Sequence, residues 1–109
     1  MDDFTFRTDA DLTGAHQKCT MVVAPAKLVA EFGESTTGDA YKISMEYAFT
    51  NEAGSVVRIH DWKATSLYCS HLPDPSEFRR STEPYEFFIG SHEIDVAMRF
   101  RDWLERILK

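Results

Sequence analysis

Two histidines and two cysteines combine the spacing and the chemistry of metal ligands. His16 and Cys19 have H-x-x-C spacing, and Cys69 and His71 have C-x-H spacing. Together they could supply the four nitrogen and sulfur ligands of a tetrahedral zinc site. Structural zinc sites usually repeat two well-formed knuckles, however, and neither pair here has a Gly-rich turn. We therefore prefer buried thiols with surface histidines, and we predict no metal and no cofactor.

Cysteine nucleophilic catalysis is a second chemistry that these residue types permit. Residues i and i+2 of a strand face the same way, so Cys69 and His71 could meet, with His60 on a preceding strand. Asp61 could act as an acid or base if burial raises its pKa, or it could bond local backbone amides or pair with Lys63. No nucleophile-elbow or oxyanion motif accompanies these residues. A small enzyme or ligand-binding protein using the His60, Asp61, Cys69 and His71 side chains is therefore the alternative function, and we assign no catalytic residue.

The most regular stretch of the chain is a predicted β-hairpin. Large apolar side chains occupy every second position of its first run: Tyr41, Ile43, Met45, Tyr47 and Phe49. That period of two is typical of a strand with one buried face. A turn-rich break at residues 50–54 separates it from a β-rich run at residues 55–62, and two such runs joined by a short Asn/Gly loop indicate a hairpin.

The remaining elements are predicted from local signals. Cys19–Val23 favours a strand or simply leads into the next helix, Pro25–Phe32 favours a helix that Gly33 ends, and Tyr85–Ile89 favours a further strand. Ser91 is placed to cap a helix that runs to Leu108. Its apolar residues form one stripe at helical spacing: Val96, Ala97, Phe100, Trp103, Leu104, Ile107 and Leu108.

These elements predict an α+β fold with the order (β)–α–β–β–loop–β–α. We expect a small antiparallel sheet of three to four strands with two helices packed on one face. Residues 1–18 are polar, and although Phe4 and Phe6 alternate as in a short edge strand, we prefer a loosely held N-terminal arm. Residues 19–109 then form a single α+β domain.

Charge and hydropathy exclude several classes of function. The 109 residues carry a net charge of −6, and residues 1–52 hold nine acids against four bases. An acidic chain repels phosphate, and the last helix begins with Ser-His-Glu-Ile-Asp, so we predict no direct nucleic-acid binding. The longest apolar run is far shorter than the roughly 20 residues of a membrane span, and no secretory signal opens the chain. We expect a soluble protein of the cytoplasm with reduced cysteines.

Five segments of this sequence carry a resemblance to other proteins: Gly38–Lys42, Tyr47–Phe49, Asp61–Tyr68, Glu83–Gly90 and Phe100–Leu104. They resemble small uncharacterised proteins encoded by phages and prophages. The resemblance covers roughly residues 21–108 and leaves the arm outside. Such proteins often bind and inhibit host or defence proteins, including CRISPR systems. The resemblance therefore implies a non-enzymatic accessory protein that acts as an inhibitor in the host bacterial cytoplasm, and a nucleic-acid-binding protein is one kind of target that it implies.

The predicted contact surface is the long loop at residues 71–84, which three prolines interrupt and in which residues 76–80 could form one helical turn. Loops of that length are often functional, and an aromatic residue beside arginines suits an interface. Phe78 could instead fill the core. Because a small sheet leaves edges open, we expect a monomer or a homodimer. The partner-binding residues that we predict are Asp74, Glu77, Phe78, Arg79 and Arg80 of the loop, with Asn51 and Glu52 of the hairpin tip.

Overall fold

A computed structural model describes residues 3–34, 43–62, 64–66 and 68–108 of the protein. These residues form a five-stranded antiparallel sheet with three helices. The elements, in chain order, are β1 Phe4–Arg7, β2 His16–Val23, α1 Pro25–Phe32, β3 Glu46–Asn51, β4 Val56–His60, α2 Pro75–Arg79, β5 Tyr85–Ser91 and α3 Ile94–Ile107.

The strand order across the sheet is β1-β3-β4-β5-β2, and every neighbouring pair is antiparallel. The predicted hairpin is confirmed as β3–β4, with Tyr47 opposite Ile59. At its tip Asn51 Oδ1 accepts a hydrogen bond from the Ser55 amide, and Gly54 takes a φ of 83° that glycine adopts without strain. The predicted first strand is shorter than expected, because β3 begins at Glu46; its residue Tyr41 falls outside the part of the chain that is described.

The α+β class and the antiparallel sheet are confirmed, but the predicted counts of strands and helices were too low. β1 is the edge strand that the sequence offered only as the alternative to a loose arm, and it pairs Phe6 with Phe49 of β3. β2 begins at His16, inside the residues assigned to the arm. The third helix is α2, whose N-cap Asp74 accepts a hydrogen bond from the Glu77 amide. The single helical turn that the sequence suggested within the long loop is therefore the helix α2, which the Asp74 side chain caps.

One face of the sheet and all three helices enclose the core. Alternate strand residues point to this face, where Phe49 meets Phe32 of α1 at 5.0 Å and Phe100 of α3 at 4.9 Å between ring centroids. From α2, Phe78 packs on Phe87 of β5 at 6.0 Å. The fully buried members are Leu28, Met45, Tyr47, Phe49, Val57, Ile59, Phe78, Phe87, Ile89, Ala97, Phe100 and Leu104.

α3 packs its predicted apolar stripe against the sheet. Val96, Ala97, Phe100 and Leu104 are buried, while Trp103, Ile107 and Leu108 are partly buried against the same core. The predicted cap was wrong, because Ser91 is the last residue of β5 and the N-cap is Glu93. Among the described residues, no helix is long and apolar enough to cross a membrane.

The opposite face of the sheet carries the strand residues that alternate with the buried ones. We call it the open face, since no helix within the described residues packs on it. The residues that define the open face are Thr20, Val22, Glu46, Ala48, Arg58, His60 and Phe88.

Candidate functional site

A groove of about 530 Å³ crosses the open face. Its floor is made by Arg58 and His60 of β4 and Phe88 of β5, because the β4–β5 register sets His60 directly opposite Phe88. The segment Ala15–Gln17 lines one part of the groove and Ile43 with Trp62 lines another. Trp62 is 42% exposed, so an aromatic surface is presented to solvent.

Gly90 allows the chain to approach the groove closely. A Cβ atom at this position would lie 2.6 Å from the Ala15 carbonyl oxygen, 3.1 Å from Arg58 Cγ and 3.2 Å from the His16 carbonyl carbon. The backbone of residues 15–16 therefore passes over Gly90 at a distance that excludes any side chain. A β-bulge between Gln17 and Cys19 accompanies this crossing.

His60 presents a hydrogen-bond acceptor to the groove. Its Nδ1 lies 2.8 Å from the backbone oxygen of Asp61, and since that oxygen can only accept, Nδ1 carries the proton. The neutral ring then has its lone pair on Nε2. Burial lowers the pKa of His60, the Arg58 charge adds to this, and the bond to the Asp61 carbonyl opposes it. The ring centroids of Phe88 and Trp62 lie 6.0 and 6.4 Å away.

An ion pair lies beside His60 on the floor of the groove. Arg58 Nη2 contacts Glu46 Oε2 across the β3–β4 pair, and both side chains are mostly covered. The buried Nε of Arg58 donates to no acceptor among the residues that the structure describes. The pair largely neutralises the charge of the arginine.

Asp61 does not cooperate with His60 in an acid–base pair. Its Oδ1 accepts hydrogen bonds from the backbone amides of Ser44 at 2.7 Å and Met45 at 2.8 Å, and the side chain is 0% exposed. Burial raises the pKa of Asp61, and the backbone hydrogen bonds partly offset that rise. Asp61, which follows the last residue of β4, thus links the end of β4 to the residues just before β3 through their backbone amides. The predicted pairing with Lys63 concerns a residue that is not described.

The alternative catalytic set does not converge. Cys69 is half-exposed and sits in a turn where the Leu72 amide donates to its carbonyl, and His71 is exposed. Within residues 3–34, 43–62, 64–66 and 68–108, no hydrogen bond or ion pair joins Cys69 to His60 or Asp61, and no group of three His, Cys, Asp or Glu side chains could hold a metal ion. Cys19 packs against the core, and burial raises the pKa of its thiol.

The predicted contact residues of the long loop divide into buried and exposed sets. Phe78 is 0% exposed and packs edge-on against Tyr85 with centroids 4.9 Å apart, so its assignment as a surface anchor is corrected and its alternative role in the core holds. Arg79 is half-buried and donates to the Ser44 carbonyl. Asp74, Glu77 and Arg80 are exposed.

Asn51 and Glu52 do not share a surface with that loop. They form the β3–β4 tip, whereas Arg79 contacts Ser44 just before the other end of β3. Six residues of strand separate the two positions, which is roughly 20 Å at 3.4 Å per residue. The seven predicted residues therefore do not form one contiguous patch.

Sequence reasoning missed Arg58, Phe88 and Trp62 as members of one site. Arg58 and Phe88 are 30 positions apart in the chain, and both line the groove because the β4–β5 register sets Arg58 opposite Gly90 and His60 opposite Phe88. A comparison with models of known protein families finds no match, and a comparison with curated proteins finds no significant relative.

Proposed function

We propose that the chain is a non-enzymatic, phage-type accessory protein that binds and inhibits a host or defence protein through the groove. The observation that carries this proposal is the one-sided covering of the sheet. All three helices pack on one face, and the other face keeps a groove floored by Arg58, His60 and Phe88. The phage-type source rests on the sequence resemblance alone.

The chemistry of the groove supports a peptide segment as the bound group. Aromatic residues and arginine are enriched at protein interfaces, and Trp62, Phe88 and Arg58 supply both. His60 Nε2 accepts a hydrogen bond, so the incoming segment must offer a donor. The net charge of −6 favours a basic partner, since complementary fields steer association.

An arginine-bearing loop of the partner satisfies these requirements together. Its guanidinium can donate to His60 Nε2 and stack on the Trp62 ring, where a cation over an aromatic face gains about 0.5–2 kcal/mol. Glu46 already neutralises Arg58, which reduces repulsion of the incoming charge. Loops of this kind are common on nucleic-acid-binding proteins, and these are the class of partner that we infer.

The exposed residues around α2 extend the proposed surface. Ile43 lines the groove and precedes Ser44, whose carbonyl accepts from Arg79 of α2. Asp74 and Glu77 near the start of α2 add negative charge to this helix. Together with Arg79 and Arg80 they remain part of the proposed contact surface, whereas Phe78 acts through the core and Asn51 and Glu52 lie at the far end of the hairpin.

The experiment is affinity capture from bacterial lysate with quantitative mass spectrometry, using surface variants as internal controls. Trp62→Ala removes the exposed ring and should weaken capture of the specific partner by tenfold or more, as expected for an interface anchor. The Arg106→Ala variant changes an exposed residue of α3 on the helical face and should leave capture unchanged. A partner that binds the wild type and Trp62→Ala equally would refute the groove, and a lysate with no specific partner would refute the proposed function.

A further inference from the structure

Among the residues that the structure describes, no strand pairs with the outer edge of β2 at one end of the sheet. β2, with eight residues, pairs there with β5, and β1, with four residues, forms the opposite edge. Arg101 of α3 donates through Nη1 to the Thr20 carbonyl at 3.3 Å, which shows that this carbonyl points away from β5. Because backbone direction alternates along a strand, the amide and carbonyl of Val22 point the same way.

Exposed apolar side chains flank this edge of the sheet, Val22 from the open face and Ile94 and Met98 from the face that the helices cover. α3 turns Phe100 and Trp103 toward Phe4 of β1 and Arg101 toward β2. At about 100° per residue, Ile94, Met98 and Glu105 fall on the Arg101 side of the helix. Val22 is 65% exposed, Ile94 57% and Met98 42%, and they are three of the five large apolar residues that are exposed in the described part of the chain. We call β2 together with Ile94, Met98, Arg101 and Glu105 the β2 flank.

We propose that the β2 flank is a homodimer interface, in which β2 pairs antiparallel with β2 of a second copy about a two-fold axis at Met21. Thr20 then lies opposite Val22 of the other copy, and two such pairs exchange four backbone hydrogen bonds. The bulge between Gln17 and Cys19 confines this regular pairing to Cys19–Val23. The result is a ten-stranded sheet without the β2 edge, and two-fold symmetry makes the same patch serve both partners.

The position of α3 favours a second copy over an isolated strand as the occupant. α3 contacts β2, β5 and β4, and its Arg101 side chain reaches the β2 edge. A second copy brings its own α3 to the same face of the joined sheet. With the two-fold axis at the level of Trp103, Met98 of one copy lies level with Leu108 of the other. A single added strand would pair with the β2 backbone and leave Met98 exposed.

The charged residues of the β2 flank are complementary to those of a second copy related by the two-fold axis. Arg101 lies level with Thr20, and Glu105 lines the same hollow as Val22, so α3 runs parallel to β2. A two-fold axis at Met21 thus passes the level of Trp103 on α3, which brings Arg101 of each copy opposite Glu105 of the other. In the dimer the Val22 amide of one copy donates to the Thr20 carbonyl of the other, in place of Arg101. The Arg101 side chain is then able to pair with Glu105 of the other copy.

Sedimentation equilibrium over about a hundredfold range of protein concentration tests the dimer. We expect the wild type to reach twice the chain mass of 12.5 kDa. Val22→Pro removes an amide that points outward and leaves the β2–β5 bonds intact, so it should give a folded monomer with unchanged far-UV circular dichroism. A wild type that stays at 12.5 kDa throughout, or a folded Val22→Pro variant that remains dimeric, would overturn the proposal.

Exchanging the charges of Arg101 and Glu105 tests the dimer interface independently of the proline variant. Glu105→Arg places two arginines opposite each other and should weaken dimerisation about tenfold, and adding Arg101→Glu should restore it. The Arg106→Glu variant reverses an exposed charge on the far side of α3 and should not change the dimer. Failure of the double variant to recover would also count against the interface. Trp62→Ala should keep the dimer mass, so this inference and the proposed function fail separately.

Discussion

Asp61→Ala should destabilise the protein strongly although Asp61 contacts no other charged group in the part of the chain that is described. The carboxylate accepts backbone hydrogen bonds from Ser44 and Met45 at 2.7 and 2.8 Å, and all three residues are buried. Alanine leaves both amides without an acceptor. A hydrogen bond to a charged group contributes about 1.5 kcal/mol or more, so two such bonds amount to about 3 kcal/mol.

Asp61→Asn is the matched control. Its amide oxygen can accept the same two hydrogen bonds while the charge is removed, so we expect a smaller loss of stability than for alanine. Some loss remains, because the buried Oδ2 position, which has no hydrogen-bond partner among the described residues, then carries an NH2 group. Urea unfolding followed by circular dichroism gives both free energies of unfolding. For a domain of this size, about 3 kcal/mol corresponds to a fall in Tm of roughly 12 °C. Equal stabilities of the alanine and asparagine variants would refute the role of the two amide bonds.

The pH dependence of the same pair of proteins tests the buried charge. Burial raises the folded-state pKa of Asp61 above its usual 3.8, so the folded state binds the proton first as pH falls. The wild type should therefore gain stability relative to Asp61→Asn as pH falls through the folded pKa, until the gain levels off below 3.8. A stability difference that does not change with pH would contradict the raised pKa.

Three further predictions concern packing and reactivity. Gly90→Ala should cost about 1–3 kcal/mol in urea unfolding, because its Cβ meets the Ala15 carbonyl at 2.6 Å and the wall of the groove must shift; an unchanged midpoint would contradict that close approach. Phe78→Ala should cost about 3–5 kcal/mol and Phe78→Leu much less, since the ring is fully buried; equal losses would argue against a packing role. Cys19 should react with iodoacetamide more slowly in the folded protein than in urea, because burial raises its pKa; equal rates by mass spectrometry would show an accessible thiolate.

Local patterns were sufficient for the elements whose apolar period is long. The β3–β4 hairpin and the α3 stripe each repeat their signal over several residues, and both are confirmed. β1 has only Phe4 and Phe6 as its signal, and its partner β3 lies more than 40 positions away, so pairing across the sheet decides its structure. The sequence favoured a loose arm for these residues because two alternating phenylalanines are a weak strand signal and chain termini are usually loosely held.

The groove was less accessible to sequence reasoning than the fold. Phe87 and Phe88 are adjacent apolar residues, so the alternation that marks a buried face is interrupted in β5, and only the structure assigns Phe88 to the open face. Similarly, His60 and Asp61 are adjacent and suggest a catalytic pair. The structure turns the imidazole to the groove and the carboxylate to the backbone of Ser44 and Met45.

The pairing of β2 with β5 has a consequence for the order of events during synthesis. Its partner residues are about 60 to 75 positions apart in the chain, so β2 leaves the ribosome long before Tyr85–Ser91 exists. Closing a loop of that length delays such contacts relative to those of the β3–β4 hairpin. During this interval β2 has both edges unpaired and its apolar Met21 and Val23 uncovered. We expect nascent chains stalled before β5 to be aggregation-prone and protease-sensitive, and to become resistant once β5 has emerged.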